Sequence, residues 1–144
     1  MAEDIKIQPA EEKDFPYILE KLRKYILDSD NLSRKQFFVA KKSDKTIAFG
    51  RVINHKEYFE IASLGVDYYH RKKGIGARML SFLLGEAKRL NKEKPVYIVT
   101  HMPDFFKKYG FEEIKNAPGA LKNKKRAKCK LKPLKSKIMK FASV

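Results

Sequence analysis

The feature that most restricts the fold is a strand, a basic glycine turn, a helix and a second strand, in succession between residues 60 and 99. Glu60-Ile61-Ala62-Ser63-Leu64-Gly65-Val66 has the length and apolar character of a strand, and Arg71-Lys72-Lys73-Gly74-Ile75-Gly76 follows it. Ile75, Met79, Leu80, Leu83, Leu84, Ala87 and Leu90 then recur at steps of three and four, the stripe of an amphipathic helix. The spacing predicts a helix over 76–89, ending near Asn91 ahead of Pro95. Val96-Tyr97-Ile98-Val99 reads as a short buried strand. Two strands joined through a helix pair in parallel, so a β-α-β unit is expected here.

The turn inside that unit suits phosphate. Its glycines let backbone approach a ligand, and the first N–H groups of a helix lack intrahelical partners. The helix dipole favours an anion at that end, and the flanking cations add to it. Two familiar phosphate loops are excluded by spelling. A P-loop needs four residues between its glycines and then Gly-Lys-Ser/Thr. A dinucleotide fingerprint needs a third glycine where Met79 stands. What remains is Arg-x-x-Gly-x-Gly.

Elsewhere Ile5-Lys6-Ile7 alternates as a first strand, and Pro9 and Asp14-Phe15-Pro16 announce a helix with Ile18, Leu19, Leu22, Tyr25 and Ile26 on one face. Three strands follow as an antiparallel meander: 37–40, then 46–54 after the turn Lys42-Ser43-Asp44-Lys45, then 58–66 after His55-Lys56-Glu57. Pro103-Asp104-Phe105-Phe106-Lys107-Lys108-Tyr109-Gly110-Phe111 places proline at the start and glycine past the end of a short helix. Ser136-Lys137-Ile138-Met139-Lys140-Phe141 alternates as a last strand, reached through a basic connection. The order is β-α-β-β-β-α-β-α-β-β, an α+β chain with a mixed, mostly antiparallel sheet.

Two of these segments, Arg71 to Gly76 and Pro103 to Phe111, resemble in order and spacing the acetyl-CoA pyrophosphate loop and the aromatic-pair helix of the GNAT acetyltransferase superfamily. With Thr100 before it, the second segment is similar to the amino-acid acetyltransferase branch. The resemblance covers nearly the whole chain and is weakest over 31–34 and 115–135. It implies a GNAT fold with a β-α-β acetyl-CoA-binding core, acetyl-CoA or CoA as co-substrate, and no metal. It also implies that Arg71, Lys72, Lys73, Gly74, Ile75, Gly76 and Ala77 hold the pyrophosphate. Leu64, Gly65 and Val66 would run beside the pantetheine arm, and Phe105 and Phe106 would line the CoA channel. Many relatives carry tyrosine where Phe106 stands, so the usual donor of a proton to the thiolate is missing; Tyr97, Tyr109 or water are the alternatives.

Acetyl transfer from a thioester to an amine requires a base. Glu60, eleven residues before Arg71, matches the base position of the resembled family, and simple alternation puts it on one face with Ala62, Leu64 and Val66. A bland alternative is a sheet-edge glutamate paired with one of many lysines. His101, just past the 96–99 strand, is the second candidate base. His55, in a turn, and His70, beside the loop, read as exposed.

A chain of 144 residues with 43% hydrophobic content is one globular domain, 1–144. No apolar run reaches membrane-spanning length. One cysteine, Cys129, excludes an internal disulfide, and together with an acidic, non-apolar start it gives a cytoplasmic reading. Cys129 lies between Lys128 and Lys130, a setting that can activate a thiol, although a stray structural cysteine is the simpler reading. The formal charge of +16 concentrates over 122–140, where acidic residues are absent. It suits a small anionic acceptor such as an acidic amino acid; a protein amine is the second acceptor class. A non-catalytic nucleic-acid-binding module is the competing function, set back by few aromatics in the basic run. Homodimers are a tendency of the resembled family that no residue here argues.

Overall fold

In the computed structural model, residues 4–131 and 136–142 are described, the stretch 126–131 by its backbone alone. The expectations for Cys129 and for the side chains of Lys128, Lys130, Lys132 and Lys135 fall outside the described residues. Numbered in chain order, the strands follow the hydrogen-bonded order first, second, third, fourth, fifth, seventh, sixth. Two compact units emerge, Met1–Ile53 with Ile61–Lys92 and Asn54–Glu60 with Glu93–Val144, so the fourth strand contributes to both.

The first unit holds β1 (Ile5–Pro9), α1 (Phe15–Lys24), β2 (Phe37–Lys42), most of β3 (Lys45–Asn54), the later part of β4 (Phe59–Val66) and α2 (Ile75–Asn91). β1 and β2 are antiparallel, as are β2 and β3. The β2–β3 turn closes at Ser43 and Asp44, both with positive φ, the twist that a two-residue hairpin favours. α1 is shorter than its sequence stripe. Tyr25 caps it and Ile26 turns left-handed (φ 52°), so Ile18 and Leu22 are buried whereas Leu19 and Ile26 are exposed. The α1 side of the sheet buries Ile18, Leu22, Phe37, Val39 and Phe49. A second cluster buries Ala40, Ile47, Ala48, Ile75 and Met79, with Leu64 and Val66 packed against it. In α2 the predicted stripe is buried from Ile75 to Ala87, but Leu90, the penultimate residue of the helix, is exposed.

Inside the first core lies a guanidinium. Arg51 is fully buried and donates to Asp28 Oδ2 (2.8 Å), the Asp30 carbonyl (2.9 Å), Gln36 Oε1 (3.0 Å), Ser63 Oγ (3.0 Å) and the Asn31 carbonyl (3.4 Å). Ser63 Oγ in turn donates to the Asp28 carbonyl at 2.6 Å. A buried cation survives only when its donors are matched in this way. Arg51 thereby ties the 28–36 connection to β3 and β4.

The second unit begins with the turn 55–58, closed by the His55 N–H on the Tyr58 carbonyl (3.0 Å). Phe59 and Glu60 open β4 and pair in parallel with Val96 and Tyr97 of β5 (Val96–Thr100), the arrangement expected of the β-α-β unit. α3 (Pro103–Lys107), β6 (Phe111–Glu113), α4 (Gly119–Leu131) and β7 (Lys137–Phe141) follow, with β7 antiparallel to both β5 and β6. α4 corrects the expectation of a basic connection ahead of the last strand, since 119–131 is helical. Leu121 anchors that helix against Val99 and Ile138. Phe106, Phe111 and Phe141 form an edge-to-face series, and the Phe141 ring lies 3.0 Å from where a Cβ at Gly110 (φ 94°) would stand.

Candidate active site

The start of α2 is built for an anion. Gly74 is the N-cap, at φ 80° and ψ 6°, a left-handed conformation that costs other residues roughly 1–2 kcal/mol. An added Cβ there would meet nothing within 4 Å, so the approach to the helix end is open. The Arg78 N–H begins the helical ladder on the Gly74 carbonyl (3.1 Å). The amides of Ile75, Gly76 and Ala77 precede it and are the orphan donors of a helix N-terminus. Such donors at a helix end can hold an anionic group through backbone N–H and the helix dipole. Lys72 and Lys73 are exposed beside them.

Arg71 is less free than the sequence suggests. Its Nε donates to the Val66 carbonyl (3.0 Å), and its guanidinium lies over the Tyr25 ring (4.4 Å) and near that of Tyr68 (5.6 Å). Tyr25 also accepts the Tyr68 N–H on its hydroxyl (3.0 Å). Arg71 therefore shapes the loop from the β4 end, and part of its hydrogen-bonding capacity remains for a ligand.

Leu64 and Val66 are half-buried against the cluster that contains Ile75 and Met79, while Gly65 is buried for a packing reason. A Cβ on Gly65 would stand 2.6 Å from Phe49 Cζ and 2.9 Å from Leu27 Cδ1. The period-two argument along this strand fails at Ser63, whose φ of 57° is left-handed. A residue in that conformation interrupts the alternation, so a shared face for Glu60 and Val66 cannot be read from spacing.

In the second unit Glu60 is buried, with a side chain 2% exposed, and both carboxylate oxygens are engaged. Oε1 lies 2.9 Å from His55 Nε2, and Oε2 accepts from Lys124 Nζ at 2.5 Å. The bland alternative was half right: the partner is a lysine, but the glutamate is interior. His55 is not a free turn residue, since it also stacks on Tyr58 at 4.4 Å. Tyr58 meets Tyr97 edge-to-face at 5.5 Å. Burial, with the Glu60 charge added, pushes the Tyr58 phenol above its usual range, although the Lys124 ammonium opposes this.

Lys94 completes the surround, donating to the His55 carbonyl (2.6 Å) and Asn54 Oδ1. His55, Glu60 and Lys124 are thus joined by hydrogen bonds, with the Tyr58 and Tyr97 rings packed beside them.

The other sequence candidates scatter. His101 follows β5 and is half-buried; Phe106 is buried against Phe111, and Phe105 is half-buried against Phe106 and Tyr109. Phe106 is thus a core ring of its unit. Tyr109 is 41% exposed. His70 lies in the short 3-10 turn after β4, half-buried near Asp67, and is not the exposed residue expected. The sequence reading missed the Lys124–Glu60 contact and the Arg51 network. Among the described residues, no three His, Cys, Asp or Glu side chains gather as a metal site, and no helix is long and apolar enough to cross a membrane.

A family model described as an acetyltransferase (GNAT) domain matches residues 33–113, more than half of the chain. N-acetylglutamate synthase from Neisseria gonorrhoeae, complexed with coenzyme A and N-acetyl-glutamate, is similar with a TM-score of 0.81 at 16% identity. That match covers 98% of this chain and 35% of the synthase, so this chain spans about a third of its length. Rv2747 from Mycobacterium tuberculosis, in complex with CoA and NLQ, gives 0.76 at 21% identity, covering 96% and 99%. An Arabidopsis thaliana protein in complex with the bisubstrate analogue CoA-Ac-MVNAL gives 0.69 at 15% identity, covering 96% and 99%. At such identities the likeness concerns the fold alone. No curated protein matches the chain by sequence.

Proposed function

Because the chain belongs to the GNAT acetyltransferase domain family, we propose that it moves an acetyl group from acetyl-CoA to a primary amine, as a single domain and without a metal. The observation that carries this reading is the left-handed Gly74 at the head of α2, an open anion cradle within the matched segment. In this mechanism the amides of 75–77 hold the pyrophosphate, with Lys72, Lys73 and the remaining donors of Arg71 around it. The backbone of Leu64, Gly65 and Val66 carries the pantetheine arm. The acceptor amine loses a proton, its nitrogen attacks the thioester carbonyl carbon, and the C–S bond breaks with its electrons on sulfur.

Glu60 is the proposed base, in preference to His101. Its support is a buried carboxylate inside a titratable cluster, already bonded to an ammonium of the same class as an acceptor. His55, bonded to Oε1 and one-third exposed, gives the proton a route to solvent. Phe106 has no proton for the departing thiolate, so water supplies it. The proposed acceptor is a small anionic amino acid, supported by the +16 charge and by the N-acetyl-glutamate named with the gonococcal synthase. The peptide-like analogue named with the Arabidopsis protein supports a protein amine as second choice. A chain with one cysteine suits the reducing cytoplasm.

Acetyl-CoA consumption against an amino-acid panel tests the reading. Glu60→Gln should lower turnover by roughly 10²–10⁴-fold while cofactor affinity holds. An unchanged rate removes Glu60 as base.

A further inference from the structure

We propose that Lys124 is itself an acetyl acceptor, and that the first acetyl group delivered by this chain goes to its own Lys124 Nζ. The inference rests on the acetyltransferase reading above, with Glu60 as base. Any amine deprotonated by Glu60 must come within hydrogen-bonding distance of its carboxylate. Lys124 Nζ already stands there, 2.5 Å from Oε2. It is a primary amine, the acceptor class of the reaction. Its side chain is 13% exposed, whereas Lys122, on the same helix, is exposed.

The other carboxylate oxygen faces His55 Nε2 at 2.9 Å. An external amine must therefore compete for Glu60 with Lys124 and His55. Acetylation removes the first obstacle, since an amide nitrogen carries no charge and cannot hold the ion pair. The step balances as follows. The Glu60 carboxylate takes one proton from the Lys124 ammonium, and the freed lone pair forms a C–N bond with the thioester carbonyl carbon. The C–S bond breaks with its electrons on sulfur, and the thiolate leaves as CoA with a proton from water. The second amine proton passes to solvent, and Glu60 returns the proton it took to solvent by way of His55, which restores the carboxylate. Lys124 becomes N-acetyl-lysine, and Oε2 of Glu60 becomes available to an incoming acceptor.

The full chain is incubated with acetyl-CoA and no added acceptor, then weighed intact and mapped by proteolysis; acetyl-CoA binding is measured separately by titration calorimetry. The expected result is a single acetyl group, located at Lys124, saturating at one per chain. Glu60→Gln should slow that labelling by about 10²-fold, and Lys124→Arg should abolish it. Mapping of the unsubstituted chain does not depend on either variant folding. Acetyl-CoA that binds and is turned over with an external amine, while Lys124 stays unmodified, overturns this inference alone. Acetyl groups spread over exposed lysines at the same rate in Glu60→Gln also overturn it, as simple chemical acetylation. A chain that binds no acetyl-CoA overturns the acetyltransferase reading together with it.

Discussion

Replacing Arg51 by methionine should cost about 3–5 kcal/mol of stability. The side chain is 0% exposed and makes five hydrogen bonds, one of them to the Asp28 carboxylate. At about 1 kcal/mol net per bond, five bonds give roughly 5 kcal/mol. Removing one partner of a buried ion pair gives about 3–5 kcal/mol by an independent route. The two estimates agree. Against a total of about 5–15 kcal/mol, that is a large fraction. At roughly 3 °C per kcal/mol for a domain of this size, Tm should fall by about 10–15 °C. Lysine at the same position keeps the charge but loses the planar fork, so Arg51→Lys should fall between the two. Urea unfolding followed by circular dichroism measures all three proteins. A loss below about 1 kcal/mol for Arg51→Met would refute the idea that this guanidinium secures the 28–36 connection.

Gly65→Ala should destabilise by about 1–3 kcal/mol, because its Cβ would stand 2.6 Å from Phe49 Cζ; an unchanged urea midpoint contradicts this. Acid should weaken the β1–α1 corner. Burial raises the Asp14 carboxyl, but its bonds from Lys41 and the Glu11 N–H, with the Lys41 charge, outweigh this and hold it below 3.8. The native state then binds fewer protons than the unfolded one. The stabilisation is present above about pH 4 and is lost as pH falls through the lower native value. Asp14→Asn should therefore remove part of the stability near neutrality and flatten its decline below pH 4, as read from urea midpoints across pH.

The β-α-β unit and the α2 stripe were legible because period and turn chemistry agreed over forty residues. α4 was hidden by its composition. Leu121 is its one buried apolar anchor among the described side chains, and the surrounding lysines read as a solvated run. The left-handed Ser63 carried no signal, since serine does not advertise positive φ as glycine does. Arg51 did carry one: an arginine amid Ala48-Phe49-Gly50 and Val52-Ile53 must find partners if the strand is interior. The partners themselves lie on 28–36, beyond any local pattern. Glu60 stood out by position, but nothing in a run of ten basic residues distinguishes Lys124, whose contact spans 64 positions.

The most direct test of the account is isothermal titration with acetyl-CoA of the chain and of Gly74→Asp. The account predicts micromolar binding to the chain. Gly74→Asp should weaken it at least about tenfold, because it sets a strained side chain and a negative charge at the head of α2. Equal affinity in both proteins, or no binding to either, would contradict the claim that the 71–77 loop holds the pyrophosphate of CoA.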